Sequence, residues 1–284
     1  MSDFLERVVA ERRADAENAS HAVAEADVVA RARRRGPTRA PSGGSNDPFT
    51  RALAERRAAA RLAVIAEVKR ASPSQGVLGR GVDVRALARR YAGAGAAAIS
   101  VLCEPRHWGG SLADLSAVRE SVDVPVLCKD VIVTGYQVAE ACSAGASAVL
   151  LIAEALDDEE IRRLATRAFE LGMGVLIEAH ETAAFERAVR TGAAVVGVNA
   201  RDLRAPAEIR PERIRLLHHL ARPEHILVAE SGIGSEEDAR ALPARVDAVL
   251  VGAALMRASD PGVLVRRLAS LTRERAEPAG RSVP

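Results

Sequence analysis

Eight short apolar runs, none of them alternating with polar residues, constrain this chain more than any other feature. They fall at residues 64–67, 98–102, 126–127, 148–152, 175–177, 195–198, 226–229 and 248–251. A strand with one wet face alternates, so continuous apolar runs predict parallel strands covered on both faces. Helix-length stretches lie between most of them, at 84–92, 111–120, 157–170 and 183–190. Gly95, Gly145 and Gly192, each followed by small residues, recur just before a run. A glycine there can end the preceding helix in a left-handed conformation. Eight strand–helix alternations in this length predict a closed (β/α)8 TIM barrel. The rival is an open doubly wound sheet, but no GxGxxG follows the first run.

The residues before the first run read differently. Residues 3–34 are rich in Ala, Arg and Glu, and Leu5, Val8, Val9 and Val23 are spaced for one helical face. A Gly/Pro/Ser-rich stretch over 36–45 breaks that helix. Asp47 then suits an N-cap, with Pro48 at the first position of a helix running to Ala60. The expected organisation is an N-terminal helical extension with its loop over 1–47 and a barrel domain over 48–284.

Composition narrows the function classes. With 48% hydrophobic residues but only 2% aromatics, the core must be built from Ala, Val, Leu and Ile. Lys plus Arg (40) against Asp plus Glu (38) leaves +2, with the signs interspersed. No basic block with stacking aromatics is present, so nucleic acid is not expected as a partner. Three cysteines (Cys103, Cys128 and Cys142) show no CxxC spacing. Cys128 and Cys142 read as small buried hydrophobes. Disulfides are not expected, which favours a reducing compartment. The charged N-terminus lacks a signal-peptide pattern, and no apolar segment is long enough to span a bilayer. A cytoplasmic protein without membrane partners is expected. Oligomeric state is not legible, and a monomer is the default.

In such a barrel, catalysis belongs to the C-terminal ends of the strands. That rule selects Glu67 and Lys69 after the first run, Glu104 after the second, and Lys129 and Asp130 after the third. It adds Glu154, then Glu178 and His180, then Asn199, Arg201 and Asp202, then Glu230 and Gly252. One charged residue after a strand is often a solvated loop start; the accumulation carries the weight. Lys129 and Glu178 form an acid–base candidate pair, with a structural salt bridge as the plain alternative. A lysine held among other cations loses pKa and can donate a proton near neutrality. A glutamate in a partly dry pocket can accept one.

Ser231-Gly232-Ile233-Gly234 and Gly252-Ala253-Ala254 follow the seventh and eighth runs, where barrels hold phosphate on backbone N–H groups. Ordinary turn glycines are the bland reading of either alone; both together favour a small phosphorylated substrate. His180 has no histidine partner at metal spacing, so an orienting or solvent role is expected rather than a metal site. His218 and His219 read as surface residues. Glu154 receives no role beyond capping a helix or pairing with a cation. Trp108, the single tryptophan, reads as a hydrophobic cover over an aromatic ligand, with simple loop packing as the plain alternative.

The stretch from Ile65 to Gly76 contains Glu67-Val68-Lys69-Arg70-Ala71-Ser72-Pro73-Ser74-Gln75-Gly76. It resembles the Glu-x-Lys-x-x-Ser-Pro-Ser-x-Gly signature of the indole-3-glycerol phosphate synthase family. Further matching stretches include Leu127-Cys128-Lys129-Asp130, Leu176-Ile177-Glu178, Asn199-Ala200-Arg201-Asp202-Leu203 and Ala229-Glu230-Ser231-Gly232-Ile233, in family order from residue 48 onward. The resemblance implies a carboxy-lyase of tryptophan biosynthesis. Its substrate would be 1-(2-carboxyphenylamino)-1-deoxyribulose 5-phosphate, closed to an indole with loss of carbon dioxide and water, without metal or redox cofactor.

By motif position, Lys129 resembles the general acid of ring closure and Glu178 the general base of dehydration. Glu67 and Asn199 would hold the sugar-derived hydroxyls, and Lys69 would sit near both substrate anions. Arg201 would add positive charge and Glu230 would support the hydroxyl network. Ser72, Ser231, Gly232, Gly252 and Ala253 would line the phosphate site. Val131, Trp108, Cys103 and Ala200 depart from the family's usual residues. A smaller Val131 weakens the apolar grip on the anthranilate ring by about 1–3 kcal/mol if that contact is buried.

Three alternatives are weighed beside this reading. One is a sugar-phosphate isomerase of the phosphoribosyl-anthranilate type. Another is a specialised paralogue acting on a substituted anthranilate in secondary metabolism. The last is a non-catalytic phosphate-binding protein. The isomerase has no need of Lys129, and the binding protein needs neither acid nor base.

Overall fold

The computed structural model describes residues 3–35, 47–73, 76–78 and 81–273. Its strands are β1 (Ala63–Val68), β2 (Ala98–Leu102), β3 (Val126–Lys129), β4 (Ala148–Ile152), β5 (Gly174–Ala179), β6 (Val195–Asn199), β7 (Ile226–Glu230) and β8 (Ala248–Val251). All pair in parallel, and β8 closes onto β1 to make a barrel. Every predicted run is a strand of this sheet. The strands are buried on both faces, Lys129 alone being half-buried. That is why they read as unbroken apolar text. A short antiparallel hairpin, Ala71–Ser72 with Gly76–Val77, rises beyond β1.

The helices are α1 (Phe4–Ala22), α2 (Glu25–Arg35), α3 (Pro48–Ala58), α4 (Val84–Gly93), α5 (Leu112–Arg119), α6 (Gly135–Ser143), α7 (Asp158–Glu170), α8 (Thr182–Arg190), α9 (Glu212–Leu217), α10 (Glu236–Arg240), α11 (Ala253–Arg257) and α12 (Pro261–Ala269). Asp47 caps α3 as expected, its carboxylate accepting Thr50 N–H at 2.8 Å. Gly95 and Gly145 both take φ of +97°, ending α4 and α6 in the left-handed region. Among the described residues, no helix is long and apolar enough to cross a membrane.

The continuous helix expected over 3–34 needs correcting, because it is two. Val23 is extended (φ −136°, ψ 121°), and the chain turns there. The Tyr136 hydroxyl lies 3.0 Å from Ala19 O, which also accepts the Val23 N–H at 2.9 Å, and 3.2 Å from Val23 O at the break itself. The glycine-rich loop expected over 36–45 lies outside the described residues. Leu5, Val8 and Ala16 of α1 and Val28 and Ala32 of α2 are buried, and α2 packs along α6. The core is aliphatic, with Tyr91, Phe49 and Phe185 its largest fully buried side chains.

Candidate active site

Parallel register places the chemistry-bearing strand ends level with one another. Leu102 pairs with Lys129, Ile152 with Glu178, and Asn199 with Glu230. A cavity of about 300 Å³ opens at this end. Glu67, Lys69, Ser72, Lys129, Glu178, Asn199, Arg201, Glu230, Ser231, Gly232, Gly252 and Ala253 all border it. These residues, given roles from the sequence, are therefore brought to one mouth together with Glu104 and Asp130, whereas Glu154, His180 and Asp202, also picked at strand ends, do not line it. Leu102, Val131, Leu150, Ile152 and Leu250 supply an apolar wall.

The centre is an ion cluster. The Lys129 ammonium lies 3.1 Å from Glu178 Oε2 and 2.6 Å from Glu230 Oε2. Asn199 Nδ2 donates to Glu178 Oε1 at 3.3 Å, and Ser231 Oγ donates to Asn199 Oδ1 at 2.9 Å. The Arg201 backbone N–H also donates to Asn199 Oδ1, at 3.0 Å, so the amide orientation is held from two sides. Beside this cluster, Lys69 and Glu67 pair at 2.7 Å.

The expected environment of Lys129 is overturned. It sits among carboxylates, not cations. Burial disfavours its charge, but Glu178, Glu230 and Glu67 together outweigh that and raise its pKa. Burial also pushes Glu178 upward, yet the Lys129 charge and the hydrogen bonds it receives bring it below the ordinary value. Glu230 absorbs the cost: burial and the like charge of Glu178 push it up to about 8. Its Oε1 is buried without a hydrogen bond. The carboxyl poised near neutrality is thus Glu230, which sequence reasoning treated only as network support.

Another part of the cavity wall is made of backbone. Ser231 (φ +64°) and Gly232 (φ +76°) are consecutive left-handed residues. A serine in that region is an outlier held by its surroundings. Gly252 leaves room for the Glu67–Lys69 pair: an added Cβ would overlap Glu67 Oε1 and sit 3.0 Å from Lys69 Nζ, so those side-chain ends would have to move.

Several neighbours were read only partly. His180 is buried, with Nδ1 3.3 Å from Glu154 and Nε2 3.0 Å from Asp202, though the second contact is not aligned as a hydrogen bond. This fits the orienting role and not the solvent one. Glu154 caps, its Oε1 accepting the N–H groups of His180 and Glu181 ahead of α8. Glu104 accepts the backbone N–H groups of Arg106, His107 and Trp108 at 3.0, 2.6 and 3.1 Å, folding the loop that presents Trp108 to the cavity. Arg257 borders the cavity and was missed. Its spacing of four from Ala253 on α11 was the available signal, because such residues share a helix face. The three cysteines are free and buried.

A closed parallel barrel that gathers buried charged side chains and close-approach backbone around a cavity at its C-terminal strand ends has the architecture of a barrel enzyme. Comparison with known proteins makes the assignment specific. The pattern describing indole-3-glycerol phosphate synthase matches residues 5–268. An indole-3-glycerol phosphate synthase of a Nocardioides species is 53% identical over 211 residues, covering 74% of this chain and 81% of that protein. One from a Polaromonas species is 40% identical over 272 residues, covering 95% and 100%. The chain belongs to the indole-3-glycerol phosphate synthase family. Among solved structures, the tryptophan synthase alpha chain of Legionella pneumophila superimposes with a TM-score of 0.59 at 14% identity. That match covers 78% of this chain and 96% of the other, a likeness of fold alone.

Proposed function

We propose that this chain closes 1-(2-carboxyphenylamino)-1-deoxyribulose 5-phosphate to indole-3-glycerol phosphate, releasing carbon dioxide and water. It acts as a carboxy-lyase in tryptophan biosynthesis. Family membership supports this reading over the isomerase alternative. The observation that carries it is the meeting of Lys129, Glu178 and the Ser231–Gly252 anion corner around one cavity.

As the ring carbon attacks the ketone, the developing alkoxide is a stronger base than either carboxylate facing Lys129, so the ammonium proton moves to oxygen. The iminium left on the ring nitrogen draws electrons from the carboxylate, and carbon dioxide departs. Glu178, held ionised by Lys129 and Asn199, then takes the carbon-bound proton whose removal completes the indole, while the departing hydroxyl takes a proton from the Lys69 ammonium and leaves as water. Glu67 and Asn199 hold the hydroxyls, with Glu230 behind them. Lys69 and Arg201 add positive charge, while Ser72 and the backbone at Ser231, Gly232, Gly252 and Ala253 hold the phosphate. Three free buried thiols suit a cytoplasmic setting.

The test is to mix purified protein with the substrate and follow indole fluorescence. Wild type is expected to turn over, and Lys129→Ala to lose on the order of 10³-fold in kcat. A flat trace from folded wild-type protein sinks the reading, as does undiminished turnover by Lys129→Ala.

A further inference from the structure

Helix α1 lies against the mouth through specific polar contacts that the proposed chemistry does not use. Arg12 reaches Asp130 with two parallel bonds, Nε to Oδ1 at 3.1 Å and Nη2 to Oδ2 at 2.7 Å. Its remaining nitrogen pairs with Asp15 at 3.0 Å, and Asp15 in turn pairs with Arg106. Glu11 lies 2.7 Å from His107 Nε2. The Phe4 ring meets His107 and Trp108 edge-on, with centroids 5.1 and 5.9 Å apart. The grip falls on the segments that leave β2 and β3.

Asp130 is the residue after Lys129. Its carboxylate is buried at 6% exposure, and Oδ1 also accepts the Val131 N–H at 2.7 Å. The turn leaving β3 is thus folded around this carboxylate, with the proposed acid on one side and the apolar wall residue Val131 on the other. Burial works against the Asp130 charge, and Arg12 is the cation opposing it. A buried carboxylate stripped of its partner must take up a proton or swing toward water, and either changes the turn. Lys129 carries a four-carbon stem, so a small rotation at the turn becomes a large displacement of Nζ.

We propose that Arg12, from the N-terminal helix, is a positioning residue for the acid–base cluster: it locks the Asp130 carboxylate and thereby sets where Lys129 and Val131 face the substrate. The inference rests on Lys129 being the acid. Its bidentate fork is the reason an arginine serves here, since a lysine cannot make two parallel bonds.

The experiment uses the full chain with Arg12→Gln, Arg12→Lys, Lys129→Ala and the Arg12→Gln/Lys129→Ala double variant. Turnover is read by indole fluorescence from pH 5.5 to 9. The emission of Trp108, the chain's single tryptophan, reports whether α1 stays seated. Arg12→Gln is expected to lower kcat by on the order of 10- to 100-fold with KM changed less than about threefold, as for a misplaced catalytic group. Trp108 emission should hold, and a new ionisation should enter the pH profile as Asp130 titrates. Arg12→Lys should recover part of the rate. In the double variant Arg12→Gln should cost kcat far less than it does alone, because its effect on kcat passes through Lys129.

Unchanged kcat in Arg12→Gln overturns the proposal. So does a rate loss that tracks a shift in Trp108 emission and multiplies with that of Lys129→Ala, which would mark a role in stability alone. Normal turnover by Lys129→Ala would instead sink the reading of the acid itself.

Discussion

The two ends of the cavity are built from different materials. At the acid–base end every functional group is a buried side chain answered by another: Lys129 by Glu178 and Glu230, Glu178 by Asn199, Asn199 by Ser231. At the anion end the working parts are backbone conformations, the left-handed pair Ser231-Gly232 and the Cβ-free Gly252. The first end is a balance of charge, sensitive to pH and to any change of ionisation. The second is a balance of space and torsion, sensitive to single carbon atoms. Substitutions at the two ends should therefore fail in different ways.

The largest effect is expected where the two ends touch. Gly252→Ala drives a methyl into the Glu67 carboxylate and against Lys69 Nζ, so it disturbs anion corner and charged cluster together. It should cost about 1–3 kcal/mol of stability as overpacking, and about 100-fold in kcat/KM through displaced groups. Gly234→Ala is the control. Its added Cβ meets only Asp238 Oδ2 at 3.6 Å and Ala254 Cβ at 3.8 Å, ordinary contacts, and its φ is not left-handed. Steady-state kinetics on both variants checks this; equal losses would show that the steric account of Gly252 is wrong.

The contrast also explains how much was legible. A buried parallel strand is written in continuous apolar residues, so the barrel was readable run by run, and a charged residue at the end of such a run marked the mouth. The glycines of the proposed anion corner were readable because a residue without a Cβ lets the backbone approach a ligand closely. What depended on remote partners was not. The break at Val23 is answered by a tyrosine hydroxyl 113 residues away, and nothing near Val23 announces it. The neighbours of Lys129 come from β5 and β7, so its environment was misjudged although its position was right. Arg12, on a helix with no chemistry of its own, gave no sign of reaching Asp130.

Charge balance at the acid–base end gives a prediction of intermediate size. Glu230 is raised from the ordinary 4.5 to about 8. Between those values the folded chain keeps a proton that the unfolded chain has released, so stability falls as pH rises through the window. Below it both states hold the proton and above it neither does, so the contribution is flat. Glu230→Gln cannot ionise and should lack this slope, becoming more stable relative to wild type by about 4 kcal/mol between pH 5 and pH 8.5. Urea midpoints for both proteins across that range measure it, the difference between them isolating residue 230. Parallel curves would mean that Glu230 ionises like an exposed glutamate and that the charge cluster is not strained.

The smallest effect separates torsion from hydrogen bonding at a single residue of the anion corner. Ser231 has φ +64° and donates Oγ to Asn199 at 2.9 Å. Ser231→Ala keeps the strained torsion and loses the bond, which should cost about 1 kcal/mol. Ser231→Gly loses the same bond but relieves a left-handed penalty of about 1 kcal/mol, so it should fall close to wild type. Asn199 stays oriented in both, because the Arg201 N–H still donates to its Oδ1. Urea unfolding of the pair reads the gap between Ala and Gly, and that gap is the torsional strain stored beside the proposed phosphate site. If the two variants are equally destabilised, residue 231 holds its conformation without cost, and the anion corner is shaped by its hydrogen bonds rather than by its backbone.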